Sequence, residues 1–292
     1  MKMPLWRRSF GKALPERPGR TSMTSLTGAG AAATVGVGET PLYLLRGGQG
    51  NPALVLHGFE GPEGWLAFHE QLSARRTVYA PSHPGFAETP RPEWLESITH
   101  QALFYNWFLQ EERLSEVDLI GFGIGGWIAA EMATMCTHSL RSLVLVGAAG
   151  IRPQESEVPD VFIRPWREVA ESCVADPDTA AEFQRIYSAD PIVDFGGRRE
   201  PGRSMTMRMC YRPYMYNPAL PALLPRIRIP TLVVWGGGGP DHAPRVRPGL
   251  PAVDPGRPPR GAGRLWPLAP LRKAPRAGGP HPPVHGRLNG GF

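Results

Sequence analysis

No apolar run in this 292-residue chain approaches the roughly 20 residues that a membrane-spanning helix needs, so no membrane partner is expected. Cysteine is scarce: Cys136, Cys173 and Cys210 are odd in number and far apart. That pattern fits neither a zinc-ligand spacing nor a disulfide framework. Free thiols in a reducing compartment are expected instead, and with them a cytoplasmic location. Basic residues open the chain (Lys2, Arg7, Arg8, Lys12) with no apolar stretch behind them, which is not the make-up of a secretory leader. A disordered extension over 1–32 is the expectation there, or a start at Met23.

The last 56 residues, 237–292, lack Glu and Ile altogether and hold thirteen Pro and twelve Gly. Such a segment cannot bury enough surface to offset its ordering entropy, so it is expected to be a disordered tail. The formal net charge of +6 is correspondingly uneven: residues 1–22 carry +5, residues 237–292 carry +7, and residues 23–236 carry −6. A nucleic-acid partner would rest on the two ends alone. The tail's aromatics, Trp266 and Phe292, are too few for stacking on a single strand, and no nucleic acid is expected.

Between the ends, short β-rich runs alternate with helical periodicity. Strands are expected at 34–37, 42–45, 53–56, 77–80, 117–120, 143–146 and 231–235. The later ones are mainly apolar runs, as parallel strands covered on both faces require. Helices are expected at 64–74, 97–114 and 124–137. This order predicts an α/β fold with a mostly parallel sheet and helices on both faces. Residues 151–229 break the rhythm, with helical segments at 165–175 and 179–187 followed by a polar Arg- and Met-rich stretch. They are expected to be a helical lid inserted into a core formed by 33–150 and 230–236.

One further absence carries chemistry. Gly121-Phe122-Gly123-Ile124-Gly125-Gly126 joins an expected strand to an expected helix, the setting of a nucleophile elbow, G-x-S-x-G. The elbow needs a side-chain oxygen or sulfur at its centre, where this chain has Gly123. The same residues also match the dinucleotide fingerprint G-x-G-x-x-G through Gly121, Gly123 and Gly126, which predicts an acidic residue at the end of the next strand. That strand ends in Gly147-Ala148-Ala149-Gly150, with no acid.

Taken together, these features resemble the α/β-hydrolase family over roughly 34–236. Leu54-Val55-Leu56-His57-Gly58-Phe59 is similar to the family's HG loop. Pro81-Ser82-His83-Pro84-Gly85-Phe86 is similar to its loop after the fourth strand. The glycine elbow is third, and Arg228 to Gly236 is similar to the strand that leads to the catalytic acid. The resemblance implies hydrolysis of an ester or acyl bond, with no cofactor and a small-molecule substrate. It places the nucleophile position at Gly123, a weak acid candidate at Asp241, and an oxyanion hole at the backbone N–H groups of Phe59 and Ile124. The histidine would come from His281 or His285, both in Pro/Gly-rich sequence. The substrate pocket is expected around His57, Gly58, Trp166, Met209 and Tyr211, because lids over apolar ligands use adaptable Met and aromatic surface. His57 is expected to shape the oxyanion loop rather than carry protons. His69, His83, His100 and His138 are expected at the surface or in loops, and Trp65, Trp107 and Trp127 in the core. The chain as written is expected to be inactive or nearly so, which leaves a ligand-binding pseudoenzyme as the alternative.

The tail begins after a run of glycines, 236–239, whose codons all begin GG. Under one choice of codons, one G fewer turns Trp235 onward into Trp-Gly-Gly-Glu-Asp-Arg-Ile, and the same offset turns Arg264–Leu268 into Gly-Cys-Gly-His. These are the acid and the histidine loop that the resemblance implies. A shifted reading frame over 237–292 is therefore one expectation, and a genuine basic tail is the other.

Overall fold

The computed structural model describes residues 30–152, 160–172, 174, 176–187 and 200–235. Strands β1 (Ala31–Val37) and β2 (Thr40–Gly47) form a hairpin. Its turn is Gly38-Glu39, with Gly38 at φ +56°, as a two-residue hairpin loop demands. Then come β3 (Pro52–Leu56), helix α1 (Ala67–Ser73), β4 (Thr77–Pro81), α2 (Ile98–Glu111), β5 (Val117–Phe122), α3 (Ile124–Met135) and β6 (Leu140–Val146). Helices α4 (Trp166–Ser172), α5 (Ala181–Tyr187), α6 (Glu200–Cys210) and α7 (Leu220–Leu223) precede the last described strand, β7 (Thr231–Val234).

The seven strands lie in one sheet, in the order β1-β2-β4-β3-β5-β6-β7. β2 runs antiparallel to both its neighbours, and every pairing from β4 through β7 is parallel. Alternation along the central strands sends Leu54, Leu56, Tyr79 and Leu119 to one face and Val55, Val78 and Ile120 to the other. The first face is covered by α2 and α3 and holds most of the core. Phe68 and Leu72 of α1, with Trp65, pack on the second. Helix α3 is buried from Ile124 through Thr134, the mark of a helix surrounded by protein. Helix α2 starts at Ser97, whose side chain accepts from the backbone N–H of His100, an ordinary N-cap.

All seven expected strands form, and α1 to α3 fall within their expected spans. Helix α6 was not expected. Its Arg- and Met-rich sequence hides an amphipathic face, because Gly202, Met205, Thr206, Met209 and Cys210 are buried at helical spacing. Among the described residues, no helix is long and apolar enough to cross a membrane. At the end of β5 away from the elbow, Asp118 accepts from Arg76 Nε at 2.7 Å, Ser142 Oγ at 2.5 Å and Arg141. Burial alone would raise the Asp118 pKa, but these donors together hold it below the usual carboxylate range.

Candidate active site

β5 ends at the sheet's centre and passes into α3 through Gly123, at φ +52° and ψ −116°. L side chains rarely adopt this conformation, and glycine does so freely. The bend is held by its own backbone: Gly123 N–H donates to Val146 O at 3.0 Å, and Gly123 O accepts from Ala149 N–H at 3.0 Å and Trp127 N–H at 3.2 Å. The glycines on either side are needed for close approach. A Cβ at Gly121 would lie 2.3 Å from Gly125 O, and one at Gly125 would lie 2.4 Å from both His57 O and Leu56 O. A Cβ at Gly123 would meet nothing closer than Gly58 Cα at 3.6 Å, an ordinary contact. The elbow thus has room for a side chain at its centre and none at its flanks.

Facing it is the loop that follows β3. Gly58 Cα is what a side chain on Gly123 would face, and Phe59 comes next in the chain. Ile124 opens α3, where backbone N–H groups have no intrahelical partner. His57 is fixed on both ring nitrogens: Nδ1 lies 2.7 Å from Gly58 O and Nε2 accepts from His83 N–H at 3.0 Å. Burial pushes its pKa down to about 4, against the pull of the Gly58 carbonyl. At neutral pH the ring is therefore uncharged. His83 lies in the loop after β4, as expected, but is fully buried there rather than at the surface. Burial, with His57 beside it, holds its pKa well below 6.5. His69 is buried too, its Nδ1 accepting from Leu66 N–H at 3.0 Å.

The expected pocket residues do not gather in one place. Met209 lies in the main core, whereas Tyr211 is 51% exposed. Trp166 is the first residue of α4, and its side chain lies outside what the structure describes, as do Asp241, His281, His285 and the whole of 237–292. A cleft does open beside the HG loop, lined by Glu60, Pro62, Glu63, Phe86, Ala87 and Gly202. It lies between the loops after β3 and β4 and helix α6, and Gly123 is not among its lining residues. Trp127 is buried as expected, but Trp107, which lies over Gly38 of the β1–β2 turn, is 39% exposed. Among the described residues, no group of three His, Cys, Asp or Glu side chains is placed to hold a metal.

Sequence reasoning missed a second polar centre. Glu131 of α3 is buried and accepts from Thr99 Oγ1 (2.6 Å), Trp127 Nε1 (2.8 Å) and Asn217 Nδ2 (2.8 Å). It ties α2 and the segment before α7 to the elbow helix. The signal in the sequence was a lone acid in an apolar helix.

A family model described as alpha/beta hydrolase fold matches residues 51–195. The chain belongs to the α/β-hydrolase fold family. Its sheet order, with an antiparallel second strand, differs from the 3-2-1-4-5-6 order of dinucleotide-binding folds, and the fingerprint reading of Gly121, Gly123 and Gly126 gains no support from it. Among curated relatives, 2-hydroxy-6-oxo-2,4-heptadienoate hydrolase of Pseudomonas putida is 34% identical over 110 residues, 36% of this chain and 40% of that protein. A 1-acylglycerol-3-phosphate O-acyltransferase of Rattus norvegicus is 31% identical over 154 residues, 46% of this chain and 43% of that protein. The chain thus spans less than half the length of these relatives. Among solved structures, a bacterial membrane phospholipase A aligns with a TM-score of 0.58 at 24% identity, over 71% of this chain and 70% of that one. The 2-hydroxy-6-oxo-6-phenylhexa-2,4-dienoate hydrolase of a Rhodococcus species gives 0.54 at 20%, over 70% and 80%. At such identities the likeness is one of fold.

Proposed function

We propose that this chain descends from an ester- or acyl-bond hydrolase and, with glycine at the elbow, binds a small carbonyl ligand without cleaving it. The observation that carries this is the elbow itself. Gly123 keeps the bent backbone of a nucleophile position and the space for a side chain, and has no atom that could attack. The backbone donors of an oxyanion hole, at Phe59 and Ile124, do not depend on side-chain identity and would still polarise a bound carbonyl. Neither His57 nor His83 can serve as a base, since each ring nitrogen is committed to a neighbour. The hydrolase and acyltransferase names of the relatives support the ancestral acyl chemistry.

The test compares p-nitrophenyl ester turnover by three proteins. These are the chain as written, its Gly123→Ser variant, and Gly123→Ser in a gene one G shorter across the codons for Trp235 to Pro240. Turnover is expected in the third alone, where nucleophile, acid and histidine are all supplied. Turnover by the unchanged chain would end this reading and require another nucleophile.

A further inference from the structure

The loops after β3 and β4 hold each other by a reciprocal pair of hydrogen bonds. His83 donates its backbone N–H to His57 Nε2 at 3.0 Å, and His83 Nε2 lies 3.0 Å from His57 O. The two rings lie 3.7 Å apart, centroid to centroid. The chemistry of the partners fixes both tautomers. A backbone N–H only donates, so His57 Nε2 is bare and its proton sits on Nδ1, donated to Gly58 O. A carbonyl only accepts, so His83 carries its proton on Nε2. Its Nδ1, 2.6 Å from Tyr105 Oη, accepts from that hydroxyl.

The carbonyls held this way belong to the residues that touch the elbow. His57 O stands where a Cβ on Gly125 would be, and Gly58 Cα is the neighbour of the Gly123 position. The β4 loop is itself anchored. Gln101 Nε2 donates to Pro84 O at 2.8 Å, and Ser82 Oγ donates to Phe86 O at 2.8 Å.

We propose that His83, backed by Tyr105, is a positioning residue that fixes the His57–Gly58 loop against the elbow while both rings are neutral, and releases it when His57 is protonated. The release follows from geometry. A proton on His57 Nε2 would face the His83 backbone N–H, donor against donor, and no rotation of a ring tied at Nδ1 relieves it. The groups around the clamp are few. The loop after β3 brings Glu60, whose carboxylate lies where a Cβ on Gly58 would stand. The loop after β4 brings His83, α2 brings Tyr105, α3 brings Gly125 against His57 O, and α6 brings Gly202 and Met205 against Phe86 and Gly85. Burial outweighs the hydrogen bond to Gly58 O, which is why the His57 pKa lies at about 4. The inference stands whether or not the elbow binds a ligand.

The test is nitrogen-15 NMR of histidine in the full-length chain, with amide exchange at Gly58 and Phe59. At pH 6 His57 should be the neutral Nδ1–H form and His83 the neutral Nε2–H form. Protonation of His57 near pH 4 should speed exchange at both amides by up to about tenfold beyond its intrinsic pH dependence. His83→Gln restores a donor toward His57 O and should keep slow exchange at pH 6, whereas His83→Leu fills the space without a donor and should lose it. Equal exchange in the Gln and Leu variants would reduce His83 to a space-filler and overturn the proposal. So would a wild-type His57 that titrates near its ordinary 6.5 or shows the other tautomer, a result that stands even if a variant fails to fold.

Discussion

Replacing Gly125 with alanine should strongly destabilise the fold, whereas the same change two residues earlier should not. Gly125 lies inside α3, where Gly→Ala ordinarily stabilises by about 0.5–1 kcal/mol. Here the new Cβ would stand 2.4 Å from two carbonyl oxygens, His57 O and Leu56 O. Both are backbone, so neither can swing aside. Relief requires β3 and its loop to move off the helix by about 1 Å, and overpacking on that scale costs about 3 kcal/mol or more. At Gly123 the added Cβ meets only Gly58 Cα at 3.6 Å. The cost there is the strain of a side chain at φ +52°, about 1–3 kcal/mol. It is offset by about 0.4–1 kcal/mol from a stiffer unfolded chain. Urea unfolding of the full chain and both variants reads the difference as a change in midpoint at constant slope. A Gly125→Ala variant as stable as the parent would refute the close approach of loop and helix. A Gly123→Ala variant more costly than Gly125→Ala would refute the open space at the elbow.

Stability should also fall as the pH drops below about 6.5. The unfolded chain binds protons at His57 and His83 there, and the folded chain, with both pKa values depressed, does not. The loss is about 1.4 kcal/mol per pH unit per ring, and for His57 it ends near pH 4. That amounts to roughly 3 kcal/mol for His57, and denaturant titrations showing a flat profile between these limits would contradict it. Asp118→Asn should cost about 3 kcal/mol at neutral pH, because it leaves Arg76 and Arg141 sharing a neutral partner. The contribution of Asp118 is present above its unfolded pKa and lost as pH falls through its depressed folded value, so parent and variant should converge in acid. Glu131→Ala should cost about 3 kcal/mol by stranding Trp127 Nε1 and Asn217 Nδ2, while Glu131→Gln, which keeps an acceptor, should cost under about 1 kcal/mol. Equal losses in the two Glu131 variants would show that the donors find other partners.

The sheet was legible in the sequence because buried parallel strands must be apolar without interruption. Leu143 to Val146 is such a run, and Val117 to Ile120 is one apart from Asp118 at its outer end. The elbow was legible for a related reason: glycines around a sharp strand-to-helix bend are dictated by local sterics, and Gly121 and Gly125 meet backbone where any Cβ would stand. Helix α6 was hidden, since Arg203 and Arg208 mask a buried face that exists only once the core is there to cover it. The polar centres were not legible at all. His83 meets His57 across 26 positions of sequence and Tyr105 across 22, and Asn217 reaches Glu131 across 86. Periodicity registers neighbours a few residues apart and says nothing of such pairs. The sequence by itself determined the order of elements and the bend at Gly123. Only the tertiary structure decided which polar side chains meet, because burial removes their water and the crossing of strands and helices supplies their partners.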